Sequence, residues 1–96
     1  MKIDSGTAAV VTGGASGLGQ ASAEALAAVG TKVAIFDVNE TAGEEVAKAI
    51  GGVFCKVDIT SEESVIAGFA QARAAHGQER ITVHCAMTSQ IGRAHV

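Results

Sequence analysis

Thr7-Ala8-Ala9-Val10-Val11-Thr12-Gly13-Gly14-Ala15-Ser16-Gly17-Leu18-Gly19 reads as an apolar strand, a glycine-rich turn and the opening of a helix. In that layout backbone N–H groups and a helix N-terminus face outward together, which is how a chain receives a phosphate. The glycines divide the work. Gly13 lets the chain leave the strand in a tight turn, Gly17 lets backbone approach a pyrophosphate with no Cβ in the way, and Gly19 lets the helix pack closely. Glycines alone are a weak signal, because turns and close packing use them too.

Working outward, the apolar period alternates between strand and helix along the chain. Strands are expected at Ala8 to Thr12, Lys32 to Asp37, Val53 to Val57 and Ile81 to Cys85. The first helix is expected from Gly17 to Val29, burying Leu18, Ser22, Ala25, Leu26 and Val29. Asn39 caps a second helix that buries Val46, Ala47 and Ile50 and exits through Gly51-Gly52. Thr60-Ser61-Glu62-Glu63 reads as a capping box for a third, which buries Val65, Ile66, Phe69 and Ala70 and ends at Gly77. Such alternation implies right-handed crossovers and a parallel α/β sheet in the order 3-2-1-4 with helices on both faces, a three-layer Rossmann-type fold.

In that order ligands bind across the carboxyl ends of the strands, where the direction of winding reverses between strands one and four. The glycine loop, Asp37, Asp58 and Cys85-Ala86 all fall at such ends. Asp37 stands close to the roughly 20-residue offset at which a carboxylate meets the adenosine ribose hydroxyls. A 2′-phosphate there would meet like charge. At about 4 Å and an effective dielectric near 20 the repulsion is of order 4 kcal/mol, and even a third of that favours NAD over NADP roughly tenfold. No arginine stands at positions 38 or 39 to receive the phosphate.

Composition narrows the alternatives. Ninety-six residues, 48% of them hydrophobic, make one small domain with enough apolar surface for a core. A net charge of −3 supplies no basic field for nucleic acid or an anionic membrane. No charged-then-apolar leader opens the chain and no apolar run approaches the roughly 20 residues of a membrane span, so a soluble, cytoplasmic protein is expected. Cys55 and Cys85 sit in apolar strand patterns as buried thiols, and with His76, His84 and His95 scattered, no metal site is expected.

The T-G-x-x-x-G-x-G spacing of Thr12 to Gly19, with Asp37 and Asp58-Ile59, resembles the short-chain dehydrogenase/reductase family. Val10 to Gly19, Phe36-Asp37 and Val53 to Glu62 are most similar to its type II 3-hydroxyacyl-CoA dehydrogenase branch, and the similarity covers about residues 7 to 86. The resemblance implies a cofactor site of Gly13, Ser16, Gly17, Leu18, Gly19, Asp37, Asp58, Ile59, Cys85 and Ala86. Ser16 and Leu18 lie where family cofactor contacts cluster. Asp58 would accept from the adenine amine while Ile59 packs on the ring. Cys85 either lines the cofactor or is simply a buried strand cysteine. Also implied are NAD as cofactor, a hydroxyacyl-CoA or similar secondary alcohol as small-molecule substrate, and a homotetramer for the full-length protein.

Two departures stand beside the matches. The family pattern N-[NC]-A-G after strand four is here His84-Cys85-Ala86-Met87. The family's Tyr-x-x-x-Lys pair and preceding Ser have no counterpart, since the chain contains no tyrosine, so no catalytic residue is assigned within it. Ile91-Gly92-Arg93-Ala94-His95-Val96 is the translation of ATC GGA AGA GCA CAC GTC, a stretch of a common sequencing adapter. The expected organisation is therefore a partial NAD-binding domain over residues 1–86, the N-terminal half of a short-chain dehydrogenase domain, with a non-native tail over 87–96. Such a half-sheet is expected to leave apolar surface and a strand edge bare. Two other readings stay open: a small non-catalytic nucleotide-binding or regulatory module, and a methyltransferase-like fold, which explains neither the Gly13–Gly17 gap nor Asp58-Ile59.

Overall fold

A computed structural model describes residues 6–15 and 17–85 of the chain. Strand β1 (Ala8–Thr12) is followed by α1 (Gly17–Ala28), β2 (Lys32–Asp37), α2 (Glu40–Ile50), β3 (Val53–Lys56), α3 (Glu62–His76) and β4 (Glu79–His84). The four strands form one parallel sheet in the order β3-β2-β1-β4, as the alternating pattern implies. Thr12, at the carboxyl end of β1, pairs with Phe36 on one side and His84 on the other.

Alternation along each strand sorts the core into two layers. Val11, Val33 and Ile35 pack with Ala23 of α1 and Val46 and Ala47 of α2. Val10, Ala34, Phe36, Cys55 and Val57 pack on the opposite face with Ala72 of α3, where Phe69 meets Phe36 edge-on at a centroid distance of 5.1 Å. The handedness of the crossovers explains the split: β1 to β3 wind in one direction, and the chain then reverses to place β4 beyond β1, carrying α3 to the other face. All five residues of β1 and four of the six in β2 are buried, because these two strands lie inside the sheet with core on both faces.

Two helices bury only part of the face expected: Leu26, Val65 and Phe69 do pack on the core, but other expected positions do not. In α1 the buried residues are Gly19 and Ala23, with Leu26 and Ala27 packed beside them, whereas Leu18 is 65% and Val29 55% exposed. In α3 they are Gly68 and Ala72, flanked by Val65 and Phe69, and Ile66 is 63% exposed with Ala70 also outside. Both helices reach the sheet through small residues spaced four apart, which brings the helix axis close and turns neighbouring large side chains outward. The α3 cap also differs. Ser61, not Thr60, accepts the Ser64 N–H, because Thr60 is engaged by Asp58.

The remaining ends follow the sequence closely. Asn39 caps α2 by accepting the Ala42 N–H, and the helix closes at Gly51. Arg73 of α3 pairs with Glu79 at the head of β4 at 2.7 Å, closing the last crossover. Strand β4 alternates half-buried Glu79, Ile81 and Val83 with exposed Arg80, Thr82 and His84, so one face of it is uncovered.

Candidate functional site

The carboxyl ends of the strands converge on the glycine loop. As β1 ends, the Gly13 N–H donates to the Phe36 carbonyl at 2.7 Å with φ at 69°, a left-handed conformation that favours glycine. The chain then turns into α1 at Gly17. A β-carbon on Gly19 would collide with the Gly13 carbonyl, whereas one on Gly17 would meet nothing within 4 Å. The two glycines therefore serve different ends: Gly19 is required by the fold itself, and Gly17 leaves open space where the helix begins. Among the described residues the first turn of α1 carries no carboxylate, unlike α2 with Glu40 and α3 with Glu62 and Glu63. Its positive end therefore has no acid within the helix's own first turn to offset it.

Asp37 ends β2 beside this loop and is half-buried. Its Oδ2 accepts the Ala15 N–H at 3.1 Å and its Oδ1 accepts the Asn39 N–H at 3.0 Å. One carboxylate thus joins the glycine loop to the head of α2. Asp58, after β3, is exposed; its Oδ1 accepts both the Thr60 hydroxyl at 2.6 Å and the Thr60 N–H at 2.9 Å. Those bonds hold its carboxyl below the ordinary carboxylate range. The Asp58 N–H donates to Ser64 Oγ at 2.9 Å, and Ile59 packs half-buried against the α3-side core. Both aspartates bond an N–H two residues on, an Asx turn written in the sequence as Asp37-Val38-Asn39 and Asp58-Ile59-Thr60. That signal was available, although the spacing alone does not reveal the Ala15 contact.

Beyond β4, the Cys85 N–H donates to the Thr12 carbonyl at 2.9 Å and the residue is buried. The Thr12 hydroxyl donates to the Val83 carbonyl and lies 3.3 Å from His84 Nδ1, a contact the sequence does not announce. Both cysteines are free, and burial pushes the Cys55 thiol up. Gly13, Gly17, Leu18, Gly19, Asp37, Asp58, Ile59 and Cys85 are therefore placed at or beside the carboxyl edge of the sheet, while Ser16, Ala86 and the 87–96 tail lie outside the described residues. No group of metal-ligating side chains occurs among the described residues, nor is any helix there long and apolar enough to cross a membrane. A groove of about 480 Å³, lined by Glu44, Lys48, Gly52, Phe54 and Gln71 among others, opens between α2 and α3 at the outer β3 edge, away from the loop.

Known proteins resemble this chain over most of its length. Residues 7–95 match the family model described as short chain dehydrogenase. The chain is 48% identical over 82 residues to 3-hydroxyacyl-CoA dehydrogenase type-2 of Drosophila melanogaster, covering 83% of this chain and 32% of that protein. It is also 48% identical, over 75 residues, to 2,5-dichloro-2,5-cyclohexadiene-1,4-diol dehydrogenase of Sphingobium indicum, covering 76% of this chain and 30% of that one. A hydroxysteroid dehydrogenase structure from Escherichia coli superimposes with a TM-score of 0.81 at 31% identity, covering 86% of this chain and 36% of that chain. The chain thus spans about a third of the length of these relatives.

Proposed function

The chain belongs to the short-chain dehydrogenase/reductase family, and from that premise we propose that it is the NAD-binding portion of an oxidoreductase acting on a secondary alcohol. The observation that carries the reading is the pairing of open space over Gly17 with the Asp37 carboxylate tied to the same loop. Members of the family use NAD or NADP, and the residues present suit such a dinucleotide: a loop free of side chain at Gly17, a helix with no acid in its own first turn, and a carboxylate at the end of the neighbouring strand. The bound nicotinamide would accept hydride from the alcohol carbon.

The chain's own residues bind and orient. Gly13, Ser16, Gly17, Leu18 and Gly19 form the cradle for the pyrophosphate and the adjoining nucleotide. Asp37 accepts from the adenosine ribose hydroxyls and disfavours a 2′-phosphate, so NAD is the proposed form. Asp58 and Ile59 take the adenine, and Cys85 and Ala86 line the cofactor beyond β4. The proton-transfer residues are proposed to lie in sequence this chain does not carry, since it contains no tyrosine. A 3-hydroxyacyl-CoA-like alcohol is the proposed substrate, supported by the Drosophila melanogaster relative.

The missing tyrosine also favours a second reading, a nucleotide-binding module without catalysis of its own. Calorimetric titration of the chain with NAD and NADP tests the binding claim: NAD is expected to bind roughly tenfold more tightly, and absence of NAD binding would overturn it. Reading the source gene past codon 96 separates the two functions. A downstream serine and Tyr-x-x-x-Lys, with 3-hydroxyacyl-CoA oxidation by the complete product, supports the dehydrogenase; a native stop supports the module.

A further inference from the structure

The Asp37–Ala15 bond joins residues 22 apart in sequence, and nothing in the ribose-binding role of Asp37 requires it. We propose that Asp37 is also a positioning residue for the glycine loop, holding it through the Ala15 N–H in its receiving shape before a nucleotide arrives. This inference rests on the proposed cofactor site and deepens it.

The geometry supplies both halves of such a tie. At one end the carboxylate is oriented by its own turn, since Oδ1 accepts the Asn39 N–H at 3.0 Å and Asn39 is in turn fixed as the cap of α2. At the other, Oδ2 reaches the Ala15 N–H in the middle of the loop, between the Gly13 turn and the α1 start at Gly17. A bond from an amide to a charged acceptor is roughly twice as strong as a neutral one. The carboxylate is half-buried, so water competes with it less than it would with an open surface group. A carboxylate also offers about four lone-pair positions, so ribose hydroxyls can join the Ala15 and Asn39 donors without displacing them. A loop already held in shape loses less conformational freedom on binding, which is the source of the added affinity.

Charge makes the test discriminating. Removing a carboxylate near a phosphate site should, by Coulomb's law alone, tighten anion binding. Removing a tie that shapes the loop should weaken it. The probes are ADP and 2′,3′-dideoxy-ADP, titrated against the chain and its Asp37→Ala variant; the dideoxy compound cannot bond Asp37 through its ribose. The positioning role predicts about tenfold weaker dideoxy-ADP binding in the variant, and equal or tighter binding overturns it. Without any ligand, the Ala15 amide should exchange with solvent about tenfold faster in Asp37→Ala, with Val11 in β1 still protected. Unchanged Ala15 exchange with Val11 protected also overturns the inference. Should the variant lose Val11 protection as well, the unsubstituted chain decides: the Ala15 amide must show a scalar coupling across the hydrogen bond to the Asp37 carboxyl carbon. Absence of that coupling at Ala15 where the Asn39 amide shows one sinks the tie. Failure of both nucleotides to bind the unsubstituted chain would refute the cofactor reading, while the exchange measurement would still judge the Ala15 tie.

Discussion

Gly19 in the first turn of α1 lies so close to the Gly13 carbonyl that no β-carbon fits between them, although the two are six positions apart in the chain. The obstacle is backbone rather than a movable side chain, so the helix would have to lift off the loop to make room. Gly19→Ala is expected to cost about 3 kcal/mol, at the upper end of overpacking, and to lower the melting temperature by more than ~10 °C. Calorimetric melting checks this, and an unchanged melting temperature would count against the close approach.

Gly17→Ala should behave in the opposite way. The added methyl would meet nothing within 4 Å, and α1 begins at that residue. Stability should stay within about 0.5 kcal/mol or rise slightly through reduced freedom of the unfolded chain. Affinity for NAD should fall about tenfold, because the methyl fills space through which backbone would approach the pyrophosphate. Melting and titration on one preparation distinguish a ligand role from a packing role.

On the proposed cofactor site, Asp37 should set the ratio between the two nicotinamide dinucleotides. Replacing Asp37 with Ala removes the like charge that would face a 2′-phosphate, so the roughly tenfold preference for NAD should shrink toward parity. The ratio of dissociation constants is the quantity to measure, since a loosened loop would weaken both nucleotides together. A preference that survives the substitution would place discrimination elsewhere.

Gly68 of α3 sits over Val57 and Phe36, where an added β-carbon would overlap Val57 Cγ2 and approach the Phe36 ring at 3.3 Å. Gly68→Ala should destabilise the chain by about 1 to 3 kcal/mol. Ile66→Ala, on the exposed side of the same helix, should change stability by under about 0.5 kcal/mol. Urea midpoints for the pair report directly which face of α3 meets the sheet.

Mild acid should weaken the fold through His76. Its Nδ1 is buried with no hydrogen-bond partner among the described residues, and burial, with Lys32 nearby, pulls the imidazole below its ordinary value. The unfolded chain therefore binds a proton at higher pH than the folded chain does, so stability falls as pH drops below about 6.5. Asp58 and Glu79, held low by Thr60 and Arg73, act in a separate window: their contribution is present above the ordinary carboxylate range, about 4, and is lost below it. Melting temperatures across pH 7.5 to 5.5 should decline for the parent and flatten for His76→Gln.

The sequence alone determined the order of elements, the parallel sheet and which residues stand at its carboxyl edge. Those follow from local alternation of strand and helix, from Gly13, Asn39, Gly51 and Gly77 as stops and caps, and from the handedness that chirality imposes on crossovers. The turns at Asp37 and Asp58 carry local signatures as well, Asp-x-Asn and Asp-x-Thr, which the apolar period does not report. Tertiary structure decided which side of each helix is buried. Apolar periodicity favours large residues such as Leu18, Val29 and Ile66, yet α1 and α3 dock through Gly19, Ala23, Gly68 and Ala72, because close approach rewards the absence of side chain. The same holds for the Asp37–Ala15 bond and the Thr12–His84 contact. Each joins residues that only strand pairing brings together, and no local pattern records a distance that the packed sheet creates.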